Sequence, residues 1–104
     1  EVLAPHADAD LSLPWLSHQQ ARVAGRPALL ARVSFAGELG WEVHCAPVDA
    51  LAIWDALIPA AKPFGMGALD SLRIEKGDRA WKGDLSTDYT VLETGLDRFV
   101  DWSK

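Results

Sequence analysis

Residues 28–45 read ALLARVSFAGELGWEVHC, and this stretch decides the fold of the chain. Its beginning (residues 28–35) and its end (residues 41–45) alternate in the period of a half-buried β-strand. The connection between them, AGELG at residues 36–40, holds two glycines, a strong hairpin signal. We therefore predict an antiparallel hairpin that turns at 36–40 and carries Glu38 at its tip. The first strand is predicted to place Leu29, Ala31, Val33 and Phe35 on one face and Leu30, Arg32 and Ser34 on the other.

Upstream of this hairpin the pattern is weaker. Gly25 permits a left-handed backbone and Pro27 lacks a ladder donor, so we expect a hairpin-like turn around them. The apolar residues between 11 and 16, with Pro14 near their start, predict one short helical turn. Residues 1–12 are acidic and Ala-rich without a period, and we interpret them as a tail rather than the start of a domain.

Downstream, two helices are predicted, near residues 48–58 and 67–76. Pro47 and Asp49 are typical of a helix N-terminus, Pro59 ends the first helix, and Gly77 fits a left-handed cap after the second. Residues 78–104 read mostly as loop, with 90–92 and 98–100 as short extended segments. The predicted inner faces consist of Leu51, Trp54, Leu57 and Ile58 on the first helix and Ala68, Leu69 and Leu72 on the second. The order predicts an α+β fold with an antiparallel sheet.

Composition excludes several classes of function. The chain has 104 residues, 49% of them apolar, a net charge of −5 and one cysteine. This length allows at most one domain. The acidic balance gives no electrostatic case for duplex nucleic acid or an anionic membrane, and no run approaches the roughly 20 apolar residues of a membrane span. A single cysteine rules out an internal disulfide framework, and the three histidines lack metal-ligand spacing.

Two features have a possible chemical role beside a simpler structural one. Glu38 lies on a glycine-flanked turn, where its carboxylate can point into a cleft and accept two parallel N–H bonds from a ring edge such as that of a pterin. The simpler interpretation is a solvated turn residue. Arg73 lies three residues after Asp70, so the two side chains can also simply pair along a helix.

These features occur within a set of blocks in a fixed order. The blocks are SFAGELGWE at 34–42, LAIWDAL at 51–57, ALDSLRIEKG at 68–77, WKGDL at 81–85 and ETGLDRFV at 93–100. Together they strongly resemble the folate-binding aminomethyltransferase family, whose founding example is the glycine-cleavage T-protein. The third and fourth blocks look most similar to the tetrahydrofolate-binding half of dimethylglycine and sarcosine dehydrogenases.

The resemblance implies a fold and a set of roles. Family members have ferredoxin-like α+β subdomains around a folate channel, and residues 1–104 resemble a single internal piece, without the early catalytic region or the C-terminal barrel. Glu38 matches the family glutamate that holds the pterin edge, and Arg73 matches a family folate contact. Phe35 stands where the family usually has tyrosine, so it can stack on a ring but has no hydroxyl. Pro59 interrupts a stretch that is usually helical. No residue matches the family's catalytic aspartate.

The function implied for the parent protein is one-carbon transfer. By this resemblance, FAD bound outside this segment would supply the oxidation of an N-methyl amine of the dimethylglycine or sarcosine class, and tetrahydrofolate would accept the carbon as 5,10-methylenetetrahydrofolate. One alternative is a glycine-cleavage-type aminomethyltransferase, against which the WKGDL block argues. Others are a folate-binding helper in iron–sulfur protein maintenance, which would carry a cysteine that is absent here, and a segment without independent activity. The expected partners are folate, the amine and the rest of the polypeptide, in the cytoplasm or, in a eukaryote, the mitochondrial matrix.

Overall fold

The fold is an antiparallel sheet followed by two helices. The computed structural model describes residues 2–104. The four strands lie in the sheet in chain order, each antiparallel to the next. The strands are β1 (Ala7–Asp8), β2 (His18–Val23), β3 (Arg26–Ala31) and β4 (Glu42–Cys45), and the helices are α1 (Pro47–Leu57) and α2 (Met66–Lys76). Single 3₁₀ turns cover Ile58–Ala60 and Asp97–Phe99. This arrangement confirms the predicted α+β class, the antiparallel sheet and the two helices.

The turn between β2 and β3 is a two-residue hairpin. Ala24 and Gly25 have φ of 50° and 73°, so both adopt the left-handed conformation of a type I′ turn, whose twist matches that of the flanking strands. Pro27 lies on β3 ahead of Ala28, where pairing with β4 begins, so its missing N–H removes no bond between those two strands. The turn predicted from Gly25 and Pro27 is confirmed.

The hairpin that carries Glu38 is also confirmed, although its first strand is shorter than predicted. Strand β3 ends at Ala31, because the Val33 N–H donates to the Ala31 carbonyl at 2.9 Å and closes a three-residue turn. Phe35 therefore leaves the sheet with the turn that follows. The final ladder pair of β3 and β4 joins Ala31 to Glu42.

The core lies between the sheet and α1. Its buried apolar residues are Leu3, Val23, Ala28, Leu30 and Ile53. The predicted inner stripe of α1 is therefore wrong in part: Leu51 and Trp54 are 69% and 55% exposed, and Ile53 is buried instead, with Leu57 half-buried beside it. On β3 the fully buried side chain is Leu30, because that face of the sheet meets α1.

The segment before β2 differs from its prediction in two respects. Residues 2–12 are not a tail, because Leu3 is buried in the core and β1 pairs with β2 through Ala7 and Val23. Residues 11–16 form no helical turn. The Ser17 N–H instead donates to the Pro14 carbonyl at 3.2 Å across a β-turn.

The predicted extended segments after Gly77 are wrong, although most of this region is loop, as expected. Thr90 and Glu93 form a reciprocal capping box, in which the Glu93 carboxylate accepts the Thr90 N–H at 2.8 Å and the Thr90 hydroxyl accepts the Glu93 N–H at 3.3 Å. The Thr94 N–H then donates to the Thr90 carbonyl, so residues 90–94 make one helical turn. Residues 98–99 lie in the second 3₁₀ turn. The Thr-x-x-Glu spacing was the signal for this turn in the sequence.

The molecule exposes more surface than a compact chain of its size. Its accessible area is 7617 Å², against roughly 5700 Å² for a folded monomer of 11.3 kDa. Its radius of gyration is 16.8 Å, against about 13 Å for a compact domain of this length. Several large apolar side chains contribute to this area, among them Trp15, Leu39, Leu51, Trp54, Trp81 and Trp102. The chain therefore exposes more surface, and more large apolar side chains, than a compact monomer of this length would.

Candidate functional site

The glycine-rich turn at 36–40 packs against the last turn of α2. Gly37 has φ of 76°, and a Cβ placed on it would lie 2.5 Å from the Lys76 Cβ, so the turn and the helix are in close contact. Arg73, one helical turn earlier, places its Cζ 6.0 Å from the centre of the Phe35 ring. The structure thus brings Arg73 against Phe35, whereas Glu38, on the same turn, lies beside Lys76 rather than Arg73.

Glu38 lines an open groove of about 500 Å³. The other lining residues are Trp15, Arg32, Ser34, Gly37, Leu39, Lys76 and Asp78. The Glu38 side chain is exposed, and within residues 2–104 no hydrogen bond or ion pair engages its carboxylate. Both carboxylate oxygens are therefore available to a ligand with paired N–H groups. Phe35, 40% exposed, does not line this groove. It lines a separate depression that shares Trp15, Ser34 and Asp78 with the groove, and Arg73 lies over its ring.

Arg73 is the buried charged residue of the described chain, with a side chain 7% exposed. Its Nε donates to Asp70 Oδ1 at 2.6 Å, its Nη1 donates to the Asp78 carbonyl at 3.1 Å, and Nη1 also pairs with the Asp84 carboxylate. Burial by itself lowers the pKa of Arg73, but the hydrogen bonds and charges of Asp70 and Asp84 outweigh it, so the pKa is raised. The predicted helix pairing with Asp70 exists, and it forms one part of a larger network.

Asp84 is the residue of this network that the sequence reasoning missed. Its Oδ2 accepts both the Ala80 N–H, at 2.8 Å, and the Arg73 Nη1–H. These bonds outweigh partial burial, so the pKa of Asp84 lies below its usual value, with the Ala80 hydrogen bond as the largest cause. Asp84 follows Arg73 by eleven residues across a loop, a separation with no periodic signal. In the sequence, Asp84 is marked only by its place in the WKGDL block.

Acid is expected to weaken the fold through Asp84. Because its folded pKa is depressed, the carboxylate stabilises the fold above its ordinary pKa, about 4, and this contribution is lost as the pH falls through the lower folded pKa. Asp84→Asn should therefore reduce stability at neutral pH and flatten the decline below about pH 4. Urea unfolding of the complete polypeptide, from neutral pH to below about pH 4, measures the free energy of unfolding of the wild type and of Asp84→Asn. A parallel decline of the two free energies with falling pH would contradict the prediction.

Gly37 should tolerate no side chain. We expect Gly37→Ala to lower the free energy of unfolding by about 1–2 kcal/mol, because alanine is strained at a positive φ and its Cβ meets the Lys76 side chain. Gly67→Ala is the matched control, since Gly67 lies inside α2 with nothing within 4 Å of the added Cβ. Denaturant unfolding measures both changes. Equal stability of the two variants would mean that the turn accommodates a Cβ at residue 37.

Two further classes of site have no support in the described residues. Across residues 2–104, no group of three or more His, Cys, Asp or Glu side chains is placed to hold a metal ion. No helix in this range combines the length and apolar character needed to cross a bilayer.

Comparison with known proteins matches most or all of the chain. The family model described as the GCVT N-terminal domain matches residues 1–104. The chain is 41% identical to mitochondrial sarcosine dehydrogenase of Mus musculus, over 92% of the chain and 11% of that protein. It is 35% identical to human mitochondrial dimethylglycine dehydrogenase, over the whole chain and 13% of that protein. It is 38% identical to an aminomethyltransferase of Picosynechococcus sp., over 89% of the chain and 26% of that protein.

The chain thus spans a minor part of the length of each of these relatives, between 11% and 26%. Similarity to both dehydrogenases and aminomethyltransferases follows the pattern expected from the sequence blocks. Because the family model matches the chain from its first residue to its last, the chain belongs to the folate-binding aminomethyltransferase family defined by the GCVT N-terminal domain.

Proposed function

We propose that this chain is the tetrahydrofolate-binding segment of a one-carbon-transfer enzyme, and that Glu38 holds the pterin edge. The observation that carries this proposal is the Glu38 carboxylate, which lines a groove of about 500 Å³ without an ion pair or hydrogen bond among residues 2–104. Its two oxygens match the adjacent N–H and amino groups of a pterin, in a charged and roughly bidentate contact.

Phe35 and Arg73 complete the proposed contact surface. Phe35 offers a partly exposed ring for stacking beside the groove. Arg73 uses Nε, Nη1 and one side of Nη2 on its protein partners, which leaves one N–H of Nη2 for an oxygen of the ligand. These residues would orient the bound folate and exclude water from the carbon that is transferred. Tetrahydrofolate would supply the nitrogen that accepts this carbon.

The finer proposal for the parent protein is oxidative demethylation of an N-methyl amine of the sarcosine or dimethylglycine class. It is supported by similarity to enzymes named for those two substrates. FAD, held outside residues 1–104, would supply the oxidation of the amine. The second candidate is a plain aminomethyltransferase, supported by the relatives of that name. A dinucleotide-binding G-x-G-x-x-G upstream of this chain would favour the dehydrogenase.

We further propose that the chain works as an internal piece of a longer polypeptide. The early catalytic region and the C-terminal barrel would belong to other parts of that polypeptide. The support is the short share of each relative that it spans and the excess of exposed apolar surface, with Leu51 and Trp54 on the outer face of α1. The relatives named mitochondrial and the bacterial aminomethyltransferases support a place in the mitochondrial matrix or the bacterial cytoplasm.

The direct test is calorimetric titration of the complete polypeptide with tetrahydrofolate. We expect saturable binding with one site per chain. A reduced pterin without the glutamyl tail should compete for that site, because the proposed recognition by Glu38 involves the ring. Absence of binding, or binding that the pterin leaves unchanged, would contradict the assignment of Glu38.

The isolated 104 residues should have no turnover. They contain no match to the family's catalytic aspartate and no flavin-binding motif, so neither the oxidation nor the transfer has its machinery. Incubation of the isolated chain with tetrahydrofolate and dimethylglycine, with and without FAD, checks this expectation. The complete polypeptide serves as the positive control, and formation of methylenetetrahydrofolate above a protein-free blank would refute the prediction.

A further inference from the structure

We propose that Asp84 is a positioning residue for the folate-binding turn and that it acts through Arg73. The inference rests on the function proposed above and adds a residue from a third segment of the chain. Its basis is one carboxylate oxygen, Oδ2 of Asp84, which accepts the Ala80 N–H and the Arg73 Nη1–H together.

The loop at 80–85 gives this carboxylate a fixed position. The Asp84 N–H donates to the Ala80 carbonyl at 2.9 Å, and the Lys82 N–H donates to the Leu85 carbonyl at 2.7 Å. Lys82 adopts φ of 66°, a left-handed conformation that tightens the loop. The backbone hydrogen bonds fix the main chain at Asp84, and the Ala80 N–H fixes its carboxylate. The carboxylate therefore has a defined position next to the Arg73 guanidinium.

Arg73 transmits this position to the turn. Its Cζ lies 6.0 Å from the centre of the Phe35 ring, and Phe35 is the residue directly before the turn that carries Glu38. The other carboxylate on Arg73, that of Asp70, belongs to the same helix. Asp70 can orient the guanidinium relative to α2, whereas Asp84 ties it to a separate segment. Loss of the Asp84 charge would leave Arg73, and with it Phe35 and the turn, less constrained.

The test compares Asp84→Asn with Asp88→Asn in the complete polypeptide, by tetrahydrofolate titration and thermal unfolding. Asp88 is an exposed acid of the same region whose side chain accepts a bond from the Ser86 hydroxyl at 3.0 Å, so it controls for loss of charge. Asp84→Asn removes one charge-assisted hydrogen bond to Arg73, and we expect a loss of affinity of about tenfold. Asp88→Asn should bind as the wild type does.

A purely structural role is separated by a double-variant cycle with Phe35→Leu. If Asp84 acts through Arg73 on Phe35, the losses of affinity in Asp84→Asn and Phe35→Leu will be non-additive, whereas a simple loss of stability leaves them additive. Wild-type affinity in Asp84→Asn, or full additivity, overturns the proposal.

If Asp84→Asn does not fold, Asp84→Glu is the variant to test, because it keeps the charge but displaces it by one methylene. Weakened binding in the folded variant supports the proposal, and wild-type binding overturns it.

Glu38→Gln distinguishes failure of the role of Asp84 from failure of the proposed folate site. If Glu38→Gln weakens binding and Asp84→Asn does not, only the role of Asp84 fails. If the wild type does not bind tetrahydrofolate, both proposals fail.

Discussion

Glu38→Gln is expected to weaken tetrahydrofolate binding to the complete polypeptide by roughly 30-fold or more, the equivalent of at least about 2 kcal/mol. The substitution keeps the shape of the side chain but removes its charge and replaces one acceptor oxygen with a donor amide. A pterin edge that presents two donors then meets one acceptor and one donor, so one hydrogen bond is lost and another polar group is left unpaired. Calorimetric titration measures the change.

Glu75→Gln is the matched control for Glu38→Gln. Glu75 is an exposed acid on α2, two residues after Arg73, and it lines neither the groove nor the Arg73 network. We expect its substitution to leave both affinity and melting temperature unchanged. Unchanged affinity in Glu38→Gln would end the assignment of the pterin edge to this turn. A loss of equal size in both variants would point to a general effect of negative charge.

Arg73→Lys is expected to lower the melting temperature by roughly 10 °C, given that each kcal/mol corresponds to about 4–8 °C in a domain of this size. Lysine keeps the positive charge but has no planar fork, so it cannot reach Asp70, Asp84 and the Asp78 carbonyl together. The acceptors that surround the buried guanidinium, two carboxylates and one backbone carbonyl, then lose hydrogen-bond donors. Differential scanning calorimetry of the complete polypeptide measures the shift.

The control for this substitution is Arg98→Lys, at an exposed arginine that stacks on Phe99 and has little to lose. Tetrahydrofolate titration of Arg73→Lys adds a second measurement. A fall in melting temperature with intact affinity would give Arg73 a structural role only, and a fall in both follows from the proposed folate contact. An unchanged melting temperature would contradict the network described here.

The elements of the fold could be predicted where local signals agree. Alternation along residues 28–45, Pro47 at the start of α1 and Gly77 after α2 each act within a few residues. The hairpin and both helix ends are confirmed, although the first strand of the hairpin ends at Ala31. The inner face of α1 could not be predicted in the same way. Residues at helical spacing such as Leu51 and Trp54 mark an apolar stripe, but the choice between that stripe and Ile53 depends on which side of the helix the sheet occupies.

The candidate site was predictable to a similar extent. Glu38, Phe35 and Arg73 are marked by a glycine-flanked turn and by family blocks, and the structure brings Phe35 and Arg73 into contact, with Glu38 on the turn that packs against α2. The role of each in binding stays a prediction. Asp84 was not predictable, because its partner is eleven residues away and the geometry that joins them comes from the loop between them. Polar contacts of this kind depend on tertiary placement, which no period in the sequence records.

The distribution of burial along the chain has a consequence for cooperativity. All buried apolar residues lie at or before Ile53, and beyond it the described chain buries only the side chain of Arg73. The sheet with α1 is thus the unit of high local stability, and the segment from α2 onward can open at a smaller cost in free energy. Glu38 belongs to the first unit and Lys76 to the second, yet both line one groove. A ligand that contacts both walls binds only when the second unit is folded against the first, so it shifts the opening equilibrium towards the closed state. Its apparent affinity is lower than its intrinsic affinity by the free energy needed to order the second unit.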